Sequence, residues 1–514
     1  MKNISYIIAF LLLSLYSCSD VIDLYPTSNL NTGTYYSTVD EIQAGLTGCY
    51  NGLQRSINSE WQFTELRSDN SKMGLAASTN SFNRDLSDLD MFLPAPTHQA
   101  IYTYWLNTYN NIRSANIVLD RLGADYSPSS GTINLSPITV PMADSIRRQM
   151  MGEALFIRAY HYFNLVRLYG GVFQITEPIS AAEAKQINRS TVEDNYKLII
   201  ADLTSAASYL QATSFSKISA ANKGKATTWA AKTLLAKVYL TQNRKSDAIT
   251  LLQDVISNSG HSLQSSYANV FTTSNELNSE IIFAVRFKAG GLGLGNTWGN
   301  DFAALNSGSA IINGSGLGWN SPTFELDTAF LATDSRKAVC IATFGTGTAA
   351  TLYVKKFLSP VVLTGDGEAD VPVLRYSDVL LMMAEAQGFT PASITLINQV
   401  RTRTTLGNLP SSVNSIASFE QALANERRFE FAFENHRWFD LLRYSTTMPS
   451  IKIQDVIKAS FAREYIRHYA TYPAPILTLA QLSANLTTDK LLLPIPQREL
   501  DTNPSLGIQQ NPGY

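Results

Sequence analysis

Charge is scarce in this sequence. Only 16% of its 514 residues are Asp, Glu, Lys or Arg, and the formal net charge is −2. Such a balance builds no field that would gather nucleic acid. Cysteine is rarer still: 3 residues cannot make a disulfide framework, and their spacing suggests no zinc site. The 5 histidines (His98, His161, His261, His436 and His468) are scattered, without an H-E-x-x-H pair or other ligand spacing. No metal, cofactor or catalytic residue is therefore expected. A G-x-S-x-G elbow is absent. Gly345-x-Gly347-x-x-Ala350 touches a dinucleotide fingerprint, but Val339–Phe344 and Thr351–Phe357 around it read as a hairpin, so the required strand–turn–helix context is missing. Beyond the first eighteen residues there is no long apolar run.

Those first residues carry an address. Lys2 supplies a positive start, Ile4–Tyr16 is an apolar run too short to span a bilayer comfortably, and Leu15-Tyr16-Ser17-Cys18 closes it. Residues 1–17 thus read as an export signal, with a small residue just before a cysteine that can be lipidated. Acyl chains on Cys18 would anchor the protein by ~0.8 kcal/mol per buried methylene.

Hydrophobic residues make up 45%, including 24 Tyr and 23 Phe, ample for a large core. Apolar spacing predicts helices over Val39–Leu53, Ala100–Leu122, Ser145–Tyr169, Glu193–Leu210, Thr227–Thr241 and Ser246–Ser257. In the third, Leu155, Ala159, Tyr162, Val166 and Tyr169 form one stripe, stopped by Gly170-Gly171. Short connections pair the later helices antiparallel, similar to tetratricopeptide repeats, though no strict 34-residue period is present. Helices return at Tyr376–Gln387, Pro391–Thr404 and Phe419–Leu442, and the Pro-rich stretch from Leu491 to Tyr514 should run extended over the surface. The expected fold is mainly α: helix pairs in a superhelix, an irregular loop-rich part, and a few short strands. Residues 18–258 form the N-terminal helical region and 259–514 a C-terminal region that is irregular at first and then helical.

The irregular middle, about 259–370, has one strand-like run (Ile281–Phe287) and glycine-rich stretches at Gly290–Gly299 and Gly308–Gly318. Loops of this length are usually functional. They hold Trp298, Asn300, Phe302, Trp319 and Asn320. Aromatic planes pack on the C–H face of a sugar while amides reach its hydroxyls, so these residues are binding candidates; the same tryptophans equally suit plugs that pin a long loop. A dense run of mixed charge, Glu426 through Glu430 and on to Glu434, Arg437, Asp440 and Arg443, reads as an ion-paired network rather than a catalytic dyad.

Several segments taken in order are specific. They are Arg158–Val172 (RAYHYFNLVRLYGGV), Leu374–Ala386 (LRYSDVLLMMAEA), Asn398–Arg403 (NQVRTR), Glu426–Glu434 (ERRFEFAFE), Arg437–Arg443 (RWFDLLR), Leu493–Pro496 (LPIP) and Gln510–Tyr514 (QNPGY). With the lipidation signal, they resemble the SusD/RagB family across nearly the whole chain. Phe173 departs from the family's usual Pro after Gly-Gly-Val. The resemblance implies tetratricopeptide-like helix pairs supporting a loop-built ligand site. It also implies a non-enzymatic, outer-membrane, surface-exposed lipoprotein that captures oligosaccharide or polysaccharide and passes it to a SusC-type TonB-dependent β-barrel. A peptide ligand, or a surface glycosidase activity, is the alternative. The family segments are scaffold and transfer no binding residue. By position, Arg67, Asp69 and Asn70, between the first two helices, join the loop residues as candidates.

Overall fold

The computed structural model describes residues 35–74, 81–472, 477–502 and 504–514. The export signal and Cys18 lie outside them. The helices are α1 (Val39–Thr64), α2 (Ser81–Asp90), α3 (Gln99–Arg121), α4 (Asp144–Tyr169), α5 (Ala181–Ala184), α6 (Val192–Tyr209), α7 (Thr228–Thr241), α8 (Lys245–Asn258) and α9 (Trp298–Phe302). They continue with α10 (Phe324–Ala329), α11 (Ser335–Cys340), α12 (Tyr376–Gln387), α13 (Pro391–Thr402), α14 (Ile416–Glu430), α15 (Arg437–Thr447), α16 (Ile453–Glu464), α17 (Leu479–Asn485) and α18 (Gln497–Thr502). Among the described residues, eight short strands pair two by two and antiparallel: β1 (Ser71–Lys72) with β5 (Ser321–Pro322), β2 (Ala124–Ser127) with β3 (Thr132–Leu135), β4 (Ile281–Val285) with β8 (Val371–Arg375), and β6 (Ile341–Phe344) with β7 (Thr351–Val354).

The long helices pack in series: α1 on α3, α3 on α4, α4 on α6, α6 on α7, α7 on α8, α8 on α12 and α12 on α13. This is the expected superhelix of helix pairs, and one hydrophobic core runs through it from Ile42 to Ile495. The first helix begins on a capping box, in which Thr38 Oγ1 accepts from Glu41 N–H and the Glu41 carboxylate accepts from Thr38 N–H. Helix α4 ends as its sequence required. Gly170 adopts φ +75°, a conformation that costs glycine little, and donates its N–H back to Val166 at 3.0 Å.

Three expectations need correction. The stripe on α4 is in fact a fully wrapped helix: every residue from Met150 to Val166 is buried, because α1, α3 and α6 all cover it. Its polar groups are satisfied internally; Arg158 forms a two-pronged pair with Asp202 (2.8 and 2.9 Å) and reaches Asn116. Second, the helix expected over 419–442 is broken into α14 and α15 at 431–436, where Phe433 and Asn435 take positive φ. Distant partners hold that break: Asn435 N–H donates to Glu65 Oε1 at 2.8 Å, and Glu434 receives Arg375. Third, the C-terminal stretch docks rather than trailing over the surface. Leu493 and Ile495 are fully buried, Leu493 N–H donates to Leu168 at 2.7 Å, and the Asn511 amide reaches the carbonyls of Tyr169 and Leu493.

The middle of the chain gets its place from β4 and β8. Ile281 pairs with Arg375 and Val285 with Val371, so residues 286–370 leave the helical body from one strand of a ladder and return on the other. A hairpin, β6–β7, stands where the dinucleotide fingerprint was set aside.

Candidate ligand-binding surface

The excursion between β4 and β8 is a body of loops tied together by backbone bonds and buried amides. Asn296 and Gly367 exchange backbone hydrogen bonds at 2.8 and 2.9 Å. The Asp366 carboxylate accepts from the N–H groups of Gly290 and Gly291, which hold it below the usual carboxylate range. Gly295 passes so close that a Cβ there would meet the Asp366 Cα at 2.4 Å. The loop body joins the segment after α1 through β1–β5, through Gly74 N–H to Gly318 at 3.0 Å, and through Thr323 N–H to Asn70 at 2.9 Å. The two regions that supplied candidate residues are thus adjacent.

Most of those candidates face inward. Trp298 opens α9 with 0% of its surface exposed; its Nε1 donates to Asn58, and its ring stands edge-on to Phe357 at 4.8 Å. Phe302 is buried against Trp61. Asn300 donates to the carbonyls of Asn313 and Ser315, both at 3.1 Å, and accepts from Gly365 N–H, so one amide clamps two loops. Asn320 is buried, and neither polar atom of its amide has a protein partner among the described residues. Arg67 lies over Trp438 at 4.2 Å and donates to the Lys490 and Leu491 carbonyls. Asp69 is held by Arg437 at 2.7 and 2.9 Å, and by Arg428 at 3.0 Å. Asn70 accepts from Arg428 Nε at 2.9 Å. Apart from Asn320, these side chains are engaged in building the loop body and its seat, which is the plug reading weighed for the tryptophans.

Trp319 differs. It is half-buried, with its backbone N–H on Asp301 at 2.8 Å and its indole Nε1–H on Asn83 Oδ1 at 2.8 Å, so the ring is fixed in orientation. The same loop presents Asn306, Ser309, Asn313 and Ser315 to solvent. Sequence reasoning passed over these four because glycine-rich loops have no period that separates inward from outward positions. Beneath this surface, burial pushes the Asp301 carboxyl up to about 7, against a stabilising bond from Thr297.

The mixed-charge run forms a buried ionic lattice, and its partners come from elsewhere in the chain. Arg375 contacts Glu280 (2.7 Å), Glu430 (2.9 Å) and Glu434 (2.7 Å); Arg336 joins Glu426 (2.6 Å) and Asp334; Arg427 joins Asp378 (2.8 Å) and Asp440 (2.9 Å). Buried as they are, Glu430 is held well below its ordinary range by Arg403 and Arg375, Asp378 by Lys237 and Arg427, and Asp440 by Arg427 and Arg443, so none is poised as an acid or base. Burial drives His161 to about 3 and His436 downward, leaving both neutral. Cys49 and Cys340 are buried free thiols.

Comparison with known proteins decides the family. The model described as "SusD family" matches residues 342–514, and the one described as "Starch-binding associating with outer membrane" matches residues 22–240. The chain belongs to the SusD family. A SusD-like protein of Formosa agariphila is 25% identical over 97% of this chain and 96% of its own length, and one of Bacteroides ovatus is 23% identical over 98% and 97%. Among solved structures, a laminarin-binding SusD-like protein superposes with a TM-score of 0.73 at 26% identity, covering 93% of this chain and all of that one. A surface glycan-binding protein A from Bacteroides thetaiotaomicron, in complex with laminarihexaose, shares the fold at 0.70 and 17% identity. Both of these solved proteins are described by what they bind, laminarin in one and laminarihexaose in the other. The family segments of this chain meet at two places, the docked C-terminus on α4 and the ionic lattice. No helix among the described residues is long and apolar enough to cross a membrane.

Proposed function

We propose that this chain is a lipid-anchored protein of the outer cell surface that captures an oligosaccharide and hands it to a TonB-dependent β-barrel of the SusC type. The observation that carries the reading is the full-length likeness to a laminarin-binding SusD-like protein. A neutral β-glucan of the laminarin type is therefore the ligand class to try first. The lipid on Cys18, after removal of residues 1–17, supplies the anchor.

The ligand's contact is the outward face of the loop body, centred on Trp319. An indole fixed through Nε1 keeps its plane in place at little entropic cost on binding, while Asn306 and Asn313 lie exposed on the same loop to serve hydroxyl groups. The test is affinity electrophoresis of the mature chain through gels containing laminarin, starch and other polysaccharides. Retardation that disappears in Trp319→Ala supports the reading. No retardation in any gel, together with no oligosaccharide detected by calorimetry, sinks it. Co-purification of a barrel protein from the native outer membrane tests the hand-over, and its absence removes that half.

A further inference from the structure

A second cleft shares no lining residue with the face centred on Trp319, although Glu325, Ala329 and Leu331 of the β4–β8 excursion help to line it. It has a volume of about 560 Å³, within the ~300–1,000 Å³ typical of ligand sites, and is lined by α10, α13, α14, α16 and residues 409–413. Its chemistry is unusual for a protein so poor in charge. Arg401, Arg428, Arg437 and Arg463 line it, against the carboxylates of Asp69 and Glu325.

Three of these arginines have little left to give. Arg437 is spent on Asp69, Arg428 is divided between Asp69, Asn70 and Glu325, and Arg401 serves Glu426 and the Gly407 carbonyl. Arg463 is different. It gives Nη1 to Glu325 at 2.6 Å, yet its side chain is 62% exposed and its Nε and Nη2 donors have no protein partner among the described residues. Glu325 is already shared with Arg428, and Asp69 is shared between Arg428 and Arg437. In the group formed by Arg428, Arg437, Arg463, Asp69 and Glu325, one positive charge therefore stays uncompensated, and Arg463 carries it to the cleft's edge.

The rest of the lining suits a sugar ring. Phe429 is half-buried and backed by Phe330, with ring centroids 4.7 Å apart, so it offers a supported aromatic plane. Gln421 donates to Asn425 Oδ1 at 3.0 Å, which orients both amides and leaves the Gln421 carbonyl and the Asn425 amino group without protein partners among the described residues. A plane, an oriented donor and acceptor, and an arginine with open donors match a saccharide bearing an anionic group.

We infer that this cleft is a binding site for an anionic saccharide, whose carboxylate or sulfate meets Arg463 while a ring packs on Phe429. The ligand's class rests on the saccharide reading above, but the site does not depend on the loop face. The test is calorimetry of the mature chain with trigalacturonate, its carboxyl-reduced neutral counterpart, a sulfated trisaccharide and laminarihexaose, using wild type, Arg463→Ala and Asn425→Asp. Binding of a charged trisaccharide at least tenfold tighter than the neutral one, weakened tenfold or more by either substitution, is expected; the tighter of the two charged ligands identifies the anion. Both substitutions should leave laminarihexaose affinity and the thermal midpoint unchanged. The inference is overturned if neutral and charged trisaccharides bind alike, if neither charged ligand binds, or if both substitutions leave the charged ligand's affinity intact. Failure of laminarihexaose alone removes the loop-face reading and leaves this one standing.

Discussion

Two tryptophans that look equivalent in the sequence have different work. Trp298 fills space between Phe302 and Phe357, and removing it leaves a cavity in the loop body's interior. Trp298→Ala should cost about 3–5 kcal/mol, visible as a lowered urea midpoint. Trp319→Ala, at a half-buried site, should keep a near-wild-type midpoint and lose glucan retardation; an equal fall in stability would assign Trp319 to the core as well. A third residue gives a pH signature. Asp301 has its carboxyl raised to about 7 by burial, so the folded state holds a proton that the unfolded chain releases near 4. Its presence makes stability fall as pH rises from about 4 to about 7, with no further change above that. Asp301→Asn should flatten this slope by up to about 4 kcal/mol, measured by urea unfolding at pH 4.5 and pH 8; an unchanged slope would show that Asp301 is ionised when folded.

The elements that position the loop body are joined by charge as much as by packing. Arg375, the last residue of β8, sits among Glu280, Glu430 and Glu434, and so ties the base of the excursion to α14 and to the break that follows it. Arg375→Met would leave three buried carboxylates short of a partner and should destabilise by about 3–5 kcal/mol, far more than loss of a surface pair such as Arg148–Asp144. Comparing the urea midpoints of Arg375→Met and Arg148→Met checks this. Equal effects would mean that Arg403, which also touches Glu280 and Glu430, compensates in full. The sequence made the helices themselves plain, since apolar spacing of three and four marks α3, α6, α8 and α12 within a residue or two. It did not mark the break at 431–436, because charged and aromatic residues continue there with helical spacing. Thr64, Glu65, Lys356 and Arg375, arriving from elsewhere, make the interruption favourable.

Across the whole molecule, a large core and a buried ionic lattice of three ion-pair clusters connect residues far apart in sequence. Asp69 from the segment after α1 binds Arg428 and Arg437, and Lys237 from α7 binds Asp378 from α12 at 2.6 Å. Unfolding should therefore be a single transition, and the fragments 18–258 and 259–514 made separately should fail to fold, as circular dichroism and proteolysis would reveal. Two resolved calorimetric transitions would contradict this. Acid should act on the same lattice. Burial alone would raise Asp69, but Arg428 and Arg437 bring it down to about 2, and Asp378, Asp440 and Glu430 are also held low. Their contribution is complete above the unfolded carboxylate range near 4 and is lost as pH falls through the lower folded values. The thermal midpoint should drop steeply between about pH 4 and pH 2, and Asp69→Asn should make that drop shallower.

The family came from the resemblance of ordered segments, whereas apolar and charge spacing were enough for the helices and for the ionic character of the run from Glu426 to Arg443. Each of these depends on residue type and on spacing over a few turns, which a linear sequence displays directly. The inward turn of Trp298 and Asn300, the clamp of β4 on β8, and a cleft assembled from α10, α13, α14, α16 and the 409–413 loop were invisible there. Each arises where segments separated by tens to hundreds of residues close on one another. In loops without periodicity, the direction of a side chain is set by whichever distant surface it meets.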